Sequence, residues 1–293
     1  MPTPDGVADR FEAHRAHLRA VAYRMLGSVS DAEDAVQESW LRLSRVESGD
    51  LGNLRAWLTT VVARICLDML RARTARREDD LDVHVPDLVV TRADADPESG
   101  ALRADSVGLA LLVVLDTLDP AERLAFVLHD AFGLTFDEIG PIVERSPVAA
   151  RQLASRARRR VRSAAPDAET DVRRQRPVVD AFLAAARDGD FERLVTVLSP
   201  DIVLRADGGA ARGLSRLVRG AQAVAEQAAT FSKLRLSTQV VLVNGSVGVL
   251  SRLPDGRLLS VMAFTIVAGR IAQIDILADS VRLNRLDLSA LDG

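Results

Sequence analysis

Between Leu134 and Arg162 the chain reads LTFDEIGPIVERSPVAARQLASRARRRVR, and this stretch constrains the fold more than any other. It predicts two helices joined by a tight turn. Thr135 caps the first, with Glu138 three residues on to close a capping box. Ser146 caps the second, and Pro147 takes its first position, where a missing N–H costs nothing. From Pro147 to Arg162 there are six arginines and no acid, whereas Asp116–Glu144 holds seven acids against Arg123. A basic helix on an acidic support is what a helix-turn-helix reader of DNA requires. Its second helix enters the major groove and its arginines hold phosphates. The other reading is a solvated amphipathic helix whose basic end suits the helix dipole.

A length of 293 residues allows two or three domains. The net charge is only −3, so any nucleic-acid footprint is local. Cys66 is the single cysteine, which excludes a disulfide framework and a thiolate metal cluster. No cofactor or metal is expected. Lys233 is the only lysine, so part of the arginine signal reflects a general preference for arginine. No apolar run reaches the length of a membrane span, and MPTPDGVADR has no signal-peptide core. The expectation is a cytoplasmic protein with no membrane partner.

Phe11, Leu18, Val21, Ala22, Met25 and Leu26 recur at helical spacing over residues 9–26, and Gly27 ends that helix. Ser30 with Glu33 predicts the start of a second, running to about Leu43 with Ala32, Val36, Trp40 and Leu43 inward. Residues 44–53 read as a loop. A third helix follows from Leu54 to about Ala75, with Leu58, Val61, Val62, Ile65 and Met69 inward. Between Arg55 and Arg77 it carries six arginines against Asp68. Residues 78–99 hold eight acids and two prolines, the composition of an extended, mobile linker. Helices are expected again at about 101–118 and 120–131, the latter capped at Asp119–Pro120. In the basic helix, Ala149, Leu153, Ala157 and Val161 lie four apart and are expected to face the core.

After Pro166 the texture changes. A helix over about 176–188, a shorter one to Leu198 and another near 220–230 precede four strands at 236–243, 246–252, 258–268 and 270–278. Asn244–Gly245 marks a hairpin. Helices followed by a meander predict an α+β domain with the helices on one sheet face.

Three segments in register then resemble bacterial sigma factors of the extracytoplasmic function type. They are DAEDAVQESWLRL at 31–43, RAWLTTVVARICLDMLRAR at 55–73, and the helix-turn-helix with LDTLDPAERLAFVLHD before it. The tail FLAAARDGDFERLVTVLSPDIVLRADGG resembles the SnoaL-like branch of the nuclear transport factor 2-like fold. The resemblance implies a multidomain chain: two all-α sigma domains, the second with the helix-turn-helix, and then an α+β cone-shaped SnoaL-like domain. The expected boundaries are 1–77 for sigma region 2, 78–100 for the acidic linker and 101–164 for sigma region 4. A second linker, 165–175, precedes the SnoaL-like tail, 176–293.

The resemblance also assigns roles. The 31–43 helix corresponds to one that docks on the β′ clamp of RNA polymerase; the β flap is the other expected contact on the core enzyme. Asp31, Asp34, Gln37 and Glu38 are acceptors for arginines there, and Leu41 adds apolar area. Acids at a helix N-terminus also suit its dipole, which accounts for Asp31 and Asp34 better than for Glu38. The 44–54 loop and the helix after it correspond to the promoter −10 reader. Ser48, Asp50 and Asn53 suit the edges of an unpaired base, and Arg55, Arg64, Arg71 and Arg73 suit phosphates. Each loop residue fits an ordinary surface loop equally well. The −35 contact falls to Ala150, Arg151, Gln152 and Ser155 as base readers and to Arg156, Arg158 and Arg159 on phosphates.

Relatives with such a tail carry Trp-Leu-Pro-Glu-Pro in the linker and Asp-Gly-Gly-Gly-Lys in the tail. Here His84-Val85-Pro86-Asp87-Leu88 and Asp207-Gly208-Gly209-Ala210-Ala211 stand in those places, both degenerate. A regulatory linker–tail contact is implied at His84, Pro86, Asp87, Asp207, Gly208 and Gly209. SnoaL-like folds have a pocket, so a small-molecule ligand is a further expectation. Catalysis is not expected, because all four histidines precede the tail. Only carboxylates such as Asp207, Asp275 and Asp279 remain for acid–base work there. The leading function is a promoter-specificity subunit of RNA polymerase. The alternatives are a stand-alone ligand-responsive regulator, which has no need of a polymerase-docking helix, and an enzyme fused to a DNA-binding module.

Overall fold

Phe11, Leu18, Val21, Ala22, Met25 and Leu26 are all buried, on one stripe of a helix, α1 (Pro4–Leu26). Gly27 ends it with φ +65°, a conformation that costs glycine nothing. This computed structural model describes residues 4–45, 53–76, 83–93, 108–164, 168–209, 215–231, 234 and 236–291. The chain divides into two compact units. One joins Met1–Asp79 to Val114–Ala164, and the other joins Asp80–Val113 to Ala165–Gly293.

In the first unit α2 (Val29–Leu43) starts earlier than the Ser30–Glu33 pattern suggests. Ser28 is the cap, its Oγ accepting from the Asp31 amide at 3.3 Å. Glu33 is thereby left to bridge Arg15 and Arg19 of α1, each at 3.4 Å. Trp40, expected inward, is only half-buried and packs at a tilt against Phe11, with ring centroids 5.1 Å apart. In α3 (Leu54–Arg76) the core stripe is Leu58, Val62, Ile65, Cys66 and Leu67. Burial pushes the Cys66 thiol up to about 12, against the pull of the nearby Arg123 charge, so it stays protonated and unreactive.

Helix α4 (Leu109–Asp116) crosses from one unit into the other, and α5 (Pro120–Phe126) follows. The Asp119 side chain makes no cap bond, contrary to expectation, although Pro120 does open the helix. Residues Val127–Ala131 form a π-helical turn rather than a continuation of α5. The Arg123 side chain is buried and neutralised by Asp116; it also donates to the Arg24 carbonyl at 3.2 and 3.4 Å.

The second unit is built on a seven-stranded sheet, ordered β1-β4-β5-β6-β7-β2-β3. The strands are β1 (Val90–Arg92), β2 (Leu198–Asp207), β3 (Arg216–Arg219), β4 (Ser237–Val243), β5 (Ser246–Arg252), β6 (Leu258–Val267) and β7 (Arg270–Leu277). Only the β2–β7 pairing is parallel. The meander β4–β7 follows the sequence expectation closely, whereas β1, β2 and β3 are additions to it. At the β4–β5 hairpin Asn244 and Gly245 take φ +50° and +79°. Helices α8 (Val172–Asp188), α9 (Phe191–Val197) and α10 (Ala221–Phe231) contribute Val179, Phe182, Leu194 and Val224 to a core shared with Ile202, Phe264 and Ile274 of the sheet. Residues 172–175 belong to α8 rather than to a linker, and buried Gln175 accepts from the Val247 amide at 2.7 Å.

The acidic segment is also not a free spacer where it is described. Val85, Leu88 and Val90 are buried, and β1 pairs antiparallel with β4, Val90 opposite Val243. Alternating apolar residues within an acidic run supply an edge strand, and the tail sheet receives it.

Candidate functional site

The helix-turn-helix consists of α6 (Phe136–Val143) and α7 (Pro147–Ala164). The capping box forms as the spacing predicts. Glu138 accepts from the Thr135 amide at 2.8 Å, and Thr135 Oγ1 accepts from the Glu138 amide at 3.3 Å. Those bonds hold the Glu138 carboxyl below its ordinary range. Ser146 Oγ accepts from Ala149 N at 3.3 Å at the head of α7. Between the helices Glu144 adopts φ +58°, and Gly140 meets the turn backbone closely. A Cβ on Gly140 lies 2.8 Å from the Arg145 carbonyl oxygen and 3.3 Å from Pro147 N. Neither backbone atom gives way cheaply, so Gly140→Ala is expected to cost about 2 kcal/mol, read as a lower urea midpoint by circular dichroism.

The register of α7 differs from the one read off the sequence. Ala157 is buried as expected, but Ala150 and Ala154 are buried with it, while Ala149, Leu153 and Val161 are only half-buried. Ala150 therefore cannot read a base: it is fully buried against the rest of its unit. The buried positions step by four and then three residues, and small alanines rather than Leu153 and Val161 allow close helix approach. Arg151, Gln152, Ser155, Arg156, Arg159 and Arg162 are exposed. Arg151 lies over the Phe136 ring, 5.3 Å from its centroid, which aims the guanidinium. Arg158 is instead bound to Asp130 through bonds of 2.8 to 3.1 Å, and Arg160 pairs with Glu122 at 3.0 Å. These two arginines tie α7 to its acidic support, so Arg158, expected on a phosphate, is engaged by Asp130 in this structure.

On α2, Asp34, Gln37 and Leu41 are exposed and share one face; Glu38 beside them pairs with Arg42 at 3.1 Å. Asp31 does not join that face. It is paired with Arg73 of α3, which also donates to the Leu26 carbonyl at 2.8 Å. One ion pair thus occupies both an expected docking acid and an expected phosphate ligand. Ser48 and Asp50 lie outside the described residues. Asn53 accepts from the Ala56 amide at 3.0 Å and caps α3. Arg71 is exposed, with Asp68 at 3.8 Å. Arg64 is exposed and donates to the Pro141 carbonyl at 3.3 Å. Arg55 donates to His17 Nδ1 at 3.2 Å. Burial, then the Arg55 charge, holds His17 down at about 4, so the ring is neutral. Since Nδ1 accepts, Nε2 carries the proton and donates to Thr59 Oγ1 at 3.1 Å.

In the second unit the residues expected to be regulatory converge on one side chain that the sequence did not single out, Arg282. It lies in a short helix, α11 (Ser280–Leu283), capped by Asp279. Its Nη1 donates to Asp207 at 2.7 Å, and its Nη2 donates to the Val85 carbonyl at 2.6 Å and to Asp87 at 2.8 Å. Asp207 also accepts from the Val85 amide at 3.0 Å and the Gly209 amide at 3.0 Å, with His84 Nδ1 3.2 Å away. Burial opposes ionisation of Asp207. The bonds from His84, Val85 and Gly209 and the Arg282 charge outweigh it, bringing the carboxyl down to about 2. Pro86 and Gly208 are buried beside these contacts. Gly209, at φ +61°, has no room for a side chain, because a Cβ there lies 2.1 Å from Asp279 Oδ2. A second tie holds the same segment: Val89 N donates to Asn244 Oδ1 at 3.1 Å, and Asn244 N donates back to the Val89 carbonyl at 2.9 Å.

Asp275, also buried in the second unit, is held by Arg205 at 2.6 Å and Gln273 at 2.7 Å. A cavity of about 350 Å³ opens between α8 and the β4–β5 hairpin, lined by Val172, Leu242 and Val247 with Arg173 and Arg176. Among the described residues no His, Cys, Asp and Glu cluster suits a metal, and no described helix is long and apolar enough to cross a membrane.

Comparison with known proteins accounts for this arrangement. Residues 10–76 match the model for Sigma-70 region 2, and residues 108–161 match Sigma-70, region 4. The chain is 41% identical over 251 residues to the ECF RNA polymerase sigma factor SigJ of Mycobacterium tuberculosis, covering 81% of this chain and 78% of that one. It is 36% identical to the probable ECF RNA polymerase sigma factor SigI of the same species, over 98% of both chains. The chain belongs to the extracytoplasmic function sigma factors. The crystal structure of Mycobacterium tuberculosis SigJ superimposes with a TM-score of 0.74 at 34% identity, covering 96% of this chain and 99% of that one. In this sigma factor, then, two helical sigma regions are followed by the α+β tail that the SnoaL-like resemblance implied. What sequence reasoning missed is Arg282 and Asn244. Arg282 sits in a four-residue helix after the last strand, and Asn244 looked fully explained as a turn residue.

Proposed function

We propose that this sigma factor docks α2 on core RNA polymerase, reads the −10 element with α3 and the loop before it, and reads the −35 element with α7. The observation that carries this reading is the outward face of α7. Arg151, Gln152, Ser155, Arg156 and Arg159 are all exposed there, while Arg158 and Arg160 anchor the helix. The N-terminal half then suits base edges and the remainder suits phosphates. Docking is supported by Asp34, Gln37, Glu38 and Leu41 on one face of α2; Leu41 is 40% exposed although it is apolar.

The tail is a regulator in this reading. The Arg282 cluster grips the segment between the two sigma regions, so the tail controls how that segment is held. Its cavity suits a small, mainly apolar ligand whose anionic end meets Arg173 or Arg176. The protein makes and breaks no bonds of its own, and it works in the cytoplasm alongside the polymerase. Asp207 and Asp275 are already tied into ion pairs, which supports a non-catalytic tail.

In vitro transcription with core polymerase tests the proposal, comparing the full chain with residues 1–175. The shortened chain is expected to bind polymerase and to change promoter output about fivefold or more. Unchanged output would sink regulation by the tail. Failure of the full chain to co-purify with core polymerase would favour a stand-alone regulator.

A further inference from the structure

Val148 is 68% exposed, the highest value among the large apolar side chains described as exposed. It occupies the second position of α7, immediately after Pro147. At about 100° per residue it stands about 160° around the helix from buried Ala150, within about 40° of Gln152 and Ser155. It therefore sits in the middle of the outward face, at the end of the helix where base edges are read. Its position is set firmly. Pro147 fixes the backbone at the first helical position, Ser146 caps the Ala149 amide, and Gly140 seats the turn beneath it. A valine in a helix keeps essentially one rotamer. The result is a rigid apolar point among Arg151, Gln152 and Ser155.

We infer that Val148 reads the C5-methyl group of a thymine in the −35 element. This rests on the assignment of α7 as the −35 reader. A side chain without donor or acceptor cannot read the polar pattern of a base edge. The one apolar group that the major groove presents is the thymine methyl. Gln152, one turn further along the same face, suits adenine through N6 and N7. The thymine is therefore expected within one or two base steps of the position that Gln152 reads.

The test uses the full chain assembled with core polymerase. Promoters are first selected from a DNA pool with a randomised upstream element, and each thymine in the selected element is then replaced by deoxyuridine, one at a time. Loss of the methyl at one position is expected to weaken wild-type binding about fourfold, the worth of one buried methyl-sized group. Val148→Ala is expected to bind the thymine and uracil duplexes equally. Val148→Thr, which keeps one methyl in place, is expected to retain part of the difference. The inference falls if no uracil replacement affects the wild type, or if the penalty persists undiminished in Val148→Ala. Arg151→Ala separates this failure from failure of the underlying assignment. If Arg151→Ala shifts the selected sequence while uracil has no effect, only the Val148 role is lost. If no upstream element is enriched and Arg151→Ala weakens all promoters equally, α7 is not the base reader and both readings fall.

Discussion

Arg282→Met is expected to destabilise the tail unit by about 3 kcal/mol, because it removes the guanidinium that buried Asp207 shares with Asp87. The loss should appear as a lower urea midpoint and as faster hydrogen exchange at the Val85 amide, which Asp207 holds at 3.0 Å. Adding Asp207→Asn to Arg282→Met removes one stranded charge and should recover part of the loss. The pH dependence has a definite sign. The folded Asp207 carboxyl lies at about 2, below its ordinary value of 3.8. Its contribution is therefore complete above about pH 4 and is lost as pH falls through about 2. Wild-type exchange rates at Val85 in Arg282→Met would show that Asp207, β1 and Asn244 hold the segment without Arg282.

Promoter binding by the assembled enzyme should fall steeply with salt. Arg151, Arg156, Arg159 and Arg162 on α7, with Arg55 and Arg71 on α3, are six exposed cations on the two helices proposed to read DNA. If each neutralises one phosphate, affinity drops about a thousandfold between about 50 and 200 mM salt. Core polymerase adds phosphate contacts of its own, so the informative quantity is a difference. The double variant Arg156→Ala/Arg159→Ala should lower the log–log slope by about 2. Equilibrium titrations at several salt concentrations measure it. A slope unchanged by the double variant would remove both residues from the interface. Arg158→Ala should act differently. Arg158 is spent on Asp130, so its removal should loosen α7 and leave the slope nearly intact.

The helices of the first unit and the β4–β7 meander were legible because their signals are local. Thr135 and Glu138 cap a helix three residues apart, and Asn244–Gly245 turns a hairpin between alternating strands. The α7 register was not legible from spacing alone. Two apolar stripes at helical spacing compete, one through Ala149 and Leu153 and one through Ala150 and Ala154, and only packing selects Ala150, Ala154 and Ala157. Strand β2 follows α9 without a break, so Leu198 read as the end of a helix when it is the start of a strand. At the site, exposed Arg151, Gln152 and Leu41 were within reach of sequence reasoning. The partners that engage Asp31, Arg73 and Arg158 were not, because each lies on a different helix. Arg282 is the extreme case, 195 residues from Asp87.

That separation sets an order of events during synthesis. Val85 waits 122 residues for Asp207, Val89 waits 155 for Asn244, and the Arg282 bond to Val85 closes over 197. Both sigma regions are synthesised before any of these partners, which lie at Asp207 and beyond. Each new chain therefore passes through a period in which its acidic segment is unclaimed and its promoter-reading helices are already made. The acidic segment is gripped only after Arg282 has been made, and pairings so distant in sequence are slow to form.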